Sequence, residues 1–461
     1  MNTHLYPATQ WAQMEFSGVR LHDKRYTKRL VKIGDQLAAS PGGTLPQAFE
    51  DWAELKAAYR FFADPRNTFE NLQAWHCSRV VEECKSPGEY LLIEDTTQLD
   101  FTGRCCEDLG YTTREGRGFF LHTTLAMRVS GWDLNQRPEG TLLGLFHQHC
   151  WNRGGRSRNG KETRAQLQDR QRESDRWARA LVGQLVAGPK RESSWVYIAD
   201  READFYEPIQ RCLAQGVDFV IRSYHPRRLA DGSETCLQAV SKAPVAGTLA
   251  VELRARPAAA ARTAVVEVRS LAITLQGPYR KGKRMEELRV NILELRESAP
   301  PEATEPLHWF LLTSLSCKRW AEIQRVIGRY CARWWVEEYH KALKSGVGVE
   351  QSQLEKQYRL ESLVAVLAIV AVRLVNIKFL ARARPDESVE VKLFGTKALE
   401  LLQKRFGPPT EGRWTHRGLV RAMARMGGFI GRRGDGEPGW QTIWRGWHRL
   451  MWMTEGAELI Q

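Results

Sequence analysis

Apolar positions recur every three or four residues through the first part of this chain and switch to short runs and alternations near residue 88. Residues 22–40 carry Leu30, Val31, Ile33 and Leu37 at helical spacing before Pro41-Gly42-Gly43 interrupts them. The stretches 49–65 and 68–84 repeat the pattern, so a bundle of three helices is expected up to about Pro87. Next comes the apolar run Tyr90 to Ile93, followed at once by Glu94, Asp95, Thr96 and Thr97. Residues 118–129 and 140–149 are two further strand-like segments, separated by the turn-rich 130–140. Three strands joined by turn-like links predict an antiparallel meander.

A polar helix is expected over about 161–186. A short apolar strand then runs into Asp200, with a helix near 206–215 and a strand from 218 after it. Meander, helix, strand, helix, strand is the order of an RNase H-like α/β domain with a mixed sheet. From about 232 to 312 alternation replaces helical spacing, with Ala, Pro and Gly breaks, which predicts a β-rich insertion containing the basic loop 279–284, either solvated surface or a phosphate contact. The apolar run 363–372 stops at Arg373; ten residues are too few to span a bilayer, so a buried helix is expected. In the helical C-terminal part Trp440, Trp444, Trp447, Leu450 and Met451 form a stripe, which is core if buried and a partner surface if exposed. The domains expected are a helical N-terminal unit at 1–87, a catalytic unit at 88–385 with the insertion at 232–312, and a helical unit at 386–461.

Charge changes the picture. Lys plus Arg outnumber Asp plus Glu by 68 to 54, a net +14, which favours a polyanionic partner such as nucleic acid. Lys24, Arg25, Lys28 and Arg29 cluster on one predicted helix; the plainer reading is a solvated basic face. Nine scattered cysteines without CxxC spacing indicate neither a disulfide framework nor a zinc site. With no charged-then-apolar leader at the start, a soluble, cytoplasmic protein with no membrane partner is expected.

The densest chemistry lies at 330–344, reading YCARWWVEEYHKALK. On one continuous helix Tyr330, Arg333, Glu337, Lys341 and Lys344 would fall within an arc of roughly 80°. Glu338, the neighbouring carboxylate, would point about 100° away, which favours Glu337. Asp95 and Asp200 follow strands that are adjacent in an RNase H-like sheet, so the three carboxylates Asp95, Asp200 and Glu337 can converge. Taken singly, an aspartate after a strand is more often a turn former or a helix cap. Taken together, three carboxylates suit hard divalent cations, which accept oxygen ligands and keep positions for water and phosphate. Two such ions about 3.5–4 Å apart promote phosphodiester hydrolysis or transesterification.

Tyr330, Arg333, Glu337 and Lys344 resemble the YREK signature of DDE transposases of the insertion-sequence-four family, and residues 93–97 (IEDTT) and 200–204 (DREAD) resemble its two aspartate motifs. The resemblance runs nearly end to end. It implies Asp95, Asp200 and Glu337 as ligands of two Mg²⁺ ions per site, with Mn²⁺ able to substitute. It implies Tyr330, Arg333 and Lys344, with Lys341 beside them, as phosphate grips, Trp309 as the platform for a flipped base, Arg222 near the active-site DNA, and Arg25 and Arg29 at the end sequence. The partners implied are double-stranded DNA, as transposon ends and as target, and a second copy in a synaptic homodimer acting in trans. The reaction implied is cut-and-paste transposition through a hairpin intermediate, ending in the joining of 3′ ends. Two alternatives stand beside it: a non-catalytic DNA-binding regulator of transposase descent, and a structure-selective nuclease on the same fold. Tyr26 and Trp335 depart from the family pattern, each standing where the family has an arginine.

Overall fold

The computed structural model describes residues 8–153, 176, 177, 179, 181, 192–253 and 262–459, save 41, 50, 105, 107, 114, 281, 303, 384, 390–395, 410, 411 and 433. The helix expected over 161–186 lies almost wholly outside them.

Five helices open the chain: α1 (Ala8–Phe16), α2 (Lys24–Ala39), the single turn α3 (Leu45–Ala48), α4 (Trp52–Phe62) and α5 (Phe69–Glu83). Two of them, α1 and α3, were not expected. Helix α2 starts where the Asp23 carboxylate accepts the Arg25 N–H at 2.8 Å, and its buried Leu30, Ile33 and Leu37 face the bundle core.

The strands are β1 (Gly88–Asp100), β2 (Gly118–Trp132), β3 (Pro138–Trp151), β4 (Ser193–Ala199), β5 (Asp218–Ser223), β6 (Val245–Leu253), β7 (Arg262–Leu275), a small hairpin of β8 (Tyr279–Arg280) and β9 (Lys283–Arg284), β10 (Leu288–Glu297) and β11 (His308–Thr313). Nine of them form one sheet in the order β3-β2-β1-β4-β5-β11-β10-β7-β6. The first five are the mixed RNase H-like core: β1 is antiparallel to β2 and parallel to β4, and β4 is parallel to β5. Central parallel strands are covered on both faces, which explains the unbroken apolar run of β1: Leu91 and Ile93 belong to one core, Tyr90 and Leu92 to the other.

The β-rich segment extends this same sheet, because β11 pairs antiparallel with β5 and carries β10, β7 and β6 outward. One correction concerns its start: helical structure does not vanish there, since α7 (Cys236–Ser241) forms behind a Thr235/Gln238 capping box; α6 (Tyr206–Ala214) precedes it, between β4 and β5. Six residues are too short for a periodic signal.

After the sheet come α8 (Trp320–Cys331), α9 (Trp334–Lys341), α10 (Gln357–Ala383), α11 (Thr396–Phe406), α12 (His416–Met426) and α13 (Trp440–Leu459). The apolar part of α10, Gln357–Phe379, is longer than the expected ten-residue run and would reach across a bilayer; it is instead buried inside the fold. It packs against α5, β3 and α12, and a helix enclosed on all sides needs no polar face. The tryptophan stripe of α13 is also core: Trp440, Trp444, Trp447 and Leu450 are buried, whereas Trp452, outside the stripe, is 66% exposed.

Candidate active site

Strands β1 and β4 run side by side in register from Gly88↔Ser193 to Ile93↔Ile198. Two residues further along each chain stand Asp95 and Asp200, so the aspartates leave neighbouring parallel strands at the same level. Asp95 is not at a strand end, as expected, but inside β1, which stays paired with β2 as far as Asp100. What ends near it is only the pairing with β4. The Asp95 carboxylate accepts the Thr96 N–H at 2.8 Å. Asp200 caps the single turn Arg201–Ala203, accepting the Glu202 N–H at 2.8 Å, so the commonplace role of such an aspartate is also present.

The segment 330–344 is not one regular helix. Helix α8 ends at Cys331, and the chain tightens: Arg333 N–H donates to Tyr330 O at 3.0 Å, Trp335 N–H to Ala332 O at 2.9 Å and Val336 N–H to Arg333 O at 3.1 Å. These are i to i+3 bonds, an overwound turn before α9. Beyond Lys341 the chain widens into a π-type turn closed by Val347 N–H on Ala342 O at 2.9 Å. The single polar arc, which assumed constant winding, is therefore corrected. Tyr330 is buried with its ring edge-on to Trp309, 5.5 Å between centroids, and the Arg222 guanidinium lies 5.6 Å from the Trp309 ring centre. Lys341 lies over the Trp334 ring at 4.0 Å, and Lys344 is 3.6 Å from Glu350, whose carboxylate accepts the Asp100 N–H at the end of β1.

Arg333 joins the acidic residues. Its guanidinium donates to Asp95 Oδ2 at 3.2 Å and to the Glu337 carboxylate one helical turn on. Glu338 turns the other way, where its buried carboxylate accepts from Trp334 Nε1 at 3.1 Å, from Trp440 Nε1 at 2.8 Å and from the Lys378 ammonium. Trp335 stacks on Phe379 at 3.5 Å between centroids, which gives that departure from the family pattern a packing role. Tyr26 likewise packs against Phe61 and His22 within the N-terminal bundle.

The structure thus gathers Asp95, Asp200, Glu337, Arg333, Tyr330, Arg222 and Trp309 around the level at which the β1–β4 pairing ends, in the interior of the sheet. Lys341 and Lys344 lie further along the same segment. Arg25 and Arg29 stand apart on α2, where Arg25 pairs with Asp23 at 2.7 Å and Arg29 with Glu54.

Burial pushes the Asp95 carboxyl up to about 7, helped by the like charges of Asp200 and Glu337 and opposed by Arg333. Burial works against the Arg333 charge too, but Tyr330, Asp95, Glu337 and Asp200 outweigh it and hold the guanidinium ionised. Among the described residues no three His, Cys, Asp or Glu side chains stand together as a ready metal site. The donor chemistry still suits a hard cation: three carboxylates, one of them driven toward neutrality by burial and, to a lesser degree, by the charges of the other two.

Three features escaped the sequence reading. Asp204, the last residue of DREAD, is buried and accepts Ser223 Oγ at 3.0 Å, Tyr224 N–H at 2.9 Å and His225 N–H at 3.0 Å, while pairing with Arg227 at 2.6 Å. It fixes the loop that leaves β5, so DREAD and residues 223–227 are two ends of one contact. Glu94, beside Asp95 but on the opposite face, is buried among Thr124 (2.8 Å), Tyr197 and His122 (3.2 Å). The third is the Glu338 junction. A buried carboxylate next to a candidate ligand was visible in each ED or EE pair, but its partners are distant in sequence.

Two family models match the chain. A transposase DNA-binding domain covers residues 8–67, the helices α1 to α4 that carry Arg25 and Arg29. The dimerisation domain of the Tn5 transposase covers residues 369–461, from within α10 to the end of the chain, and so includes Lys378 and Trp440. With a transposase DNA-binding domain matched at one end, the Tn5 dimerisation domain at the other and an RNase H-like mixed sheet between them, the matches support a Tn5-like transposase.

Proposed function

We propose that the protein catalyses cut-and-paste transposition, cleaving transposon ends through a hairpin and joining the freed 3′ ends to target DNA. The observation that carries this reading is the common level of Asp95 and Asp200 on parallel neighbours β1 and β4, with Glu337 tied to Asp95 through Arg333. Asp95, Asp200 and Glu337 would hold Mg²⁺, or Mn²⁺ in its place, two ions per site. When bound, the ions supply the Lewis-acid chemistry of in-line displacement at phosphorus.

The chain's own residues do the rest. Arg333, with Tyr330, Lys344 and Lys341, presents donors and positive charge to the phosphates flanking the scissile bond, and Arg's fork can take a phosphate bidentately. Trp309, edge-on to Tyr330 and beside Arg222, offers an indole face for an extruded base. Extrusion costs a few kcal/mol, and stacking returns roughly 1–3 kcal/mol. Arg25 and Arg29 contact the end sequence, and two copies assemble on a pair of ends, each site acting on the end held mainly by the other subunit.

The test is cleavage of a labelled end duplex in Mg²⁺. Asp95→Ala, Asp200→Ala and Glu337→Ala should each abolish nicking while gel-shift affinity for the same duplex persists; undiminished cleavage would end the reading. Joining of 3′ ends to a supercoiled target separates a transposase from a nuclease that only cuts.

A further inference from the structure

We propose that Arg333 is the internal counter-ion of the acidic site, so that a divalent cation enters only as a DNA phosphate draws the guanidinium away. This rests on the reading of Asp95, Asp200 and Glu337 as metal ligands.

Arg333 bonds Asp95 and Glu337 with separate nitrogens, and Asp200 adds its charge to the same guanidinium. One planar fork therefore spans two of the three carboxylates, which a point charge on a lysine could not do equally well. The backbone leaves it little freedom: Arg333 sits in the overwound turn between α8 and α9, its side chain only 20% exposed, with the ring of Tyr330 beside it. A dication entering this arrangement must compete for oxygen lone pairs already engaged and come to rest beside a fixed positive charge.

A phosphate diester is the natural rival partner for a guanidinium, since it offers two oxygens in the geometry the fork requires. Once Arg333 turns to the phosphate, Asp95 and Glu337 lose their shared cation, and their repulsion favours a metal ion. Phosphate and metal are thus coupled through one side chain, each raising the other's affinity. Without DNA the metal-competent form is a minor state, and apparent metal affinity is reduced by its small population.

Mn²⁺ binding to the full-length protein, followed by electron paramagnetic resonance, tests this without reading activity. In the absence of DNA, Arg333→Gln should bind Mn²⁺ at least about tenfold more tightly than the wild type. The double variant Arg333→Gln/Glu337→Gln should lose that gain. Adding a short end duplex should tighten Mn²⁺ binding by the wild type and change Arg333→Gln little. Arg333→Lys keeps the charge without the fork and should fall between, so it carries the comparison if the Gln variant does not fold. A folded Arg333→Gln that binds no more tightly than wild type overturns the proposal, as does a gain that survives in the double variant. Should that happen while the three alanine variants still abolish cleavage, only the counter-ion role falls; if those variants cleave normally, the metal-site reading falls with it.

Discussion

Replacing Glu338 by alanine removes a carboxylate shared by three elements, helix α9, the core helix α10 and the C-terminal helix α13. The Lys378 ammonium, itself buried, lies 4.3 Å from the Trp440 ring and would keep that face while losing its counter-charge. Breaking a buried ion pair from one side costs about 3–5 kcal/mol. Each indole N–H left without its acceptor adds about 1 kcal/mol. The sum is at least about 5 kcal/mol, or roughly 10 °C or more in melting temperature for a unit of 150–250 residues. Lys378→Met is the informative contrast: it leaves the carboxylate with two indole donors and fills the space with an apolar chain, so its loss should be clearly smaller. Tryptophan fluorescence during thermal melting is the assay, because Trp334 and Trp440 both report on the junction. A Glu338→Ala melting curve within a degree of wild type, or a Lys378→Met variant less stable than Glu338→Ala, would refute the reasoning.

Three further outcomes are expected. Because the Asp95 carboxyl rises from 3.8 to about 7, its protonated form is favoured by folding. The contribution of this one carboxyl to metal-free stability is then greatest below pH 4 and falls by about 4 kcal/mol as pH climbs to 7. Denaturation in EDTA should show Asp95→Asn gaining on wild type across that interval; a difference that does not vary with pH contradicts it. Gly328→Ala places a methyl carbon 1.9 Å from the Gln136 carbonyl oxygen at the tip of the β2–β3 hairpin, so α8 must shift. A loss of about 1–3 kcal/mol is expected by chemical denaturation, and a neutral substitution would show the hairpin yields freely. Asp204→Asn keeps the size but not the charge facing Arg227, and should loosen residues 223–227, read as faster hydrogen exchange at Tyr224 and His225 with β1 unaffected.

The core of this fold was legible because its strands are covered on both faces. Buried parallel strands must be apolar without interruption, so Tyr90 to Ile93 and the strand before Asp200 were visible as runs, and their ends located the aspartates. Helices α2, α4 and α5 were readable for a related reason: each turns one stripe inward. What stayed hidden depends on contacts between distant residues. The break at Ala332 to Val336 replaces i to i+4 bonds by i to i+3 bonds within a sequence of ordinary helix formers, and no local pattern marks it. Nor does periodicity tell Glu337 from Glu338 by environment, since the difference is made by Lys378 and Trp440. The continuation of the sheet beyond β5 was equally invisible: alternation announces strands but not which edge they join.

That edge has an evolutionary implication. The chain leaves the RNase H-like core at Ser223 and returns with β11, whose Phe310 pairs with Ser223 itself. Departure and return share one rung of the ladder, so the excursion between them is a closed detour hung from the side of the sheet. Its length and content can change without moving β1 or β4. Lineages of this fold are therefore free to lengthen, shorten or exchange the detour, gaining or losing surface beside the acidic residues, provided that a returning strand still closes the open side of β5.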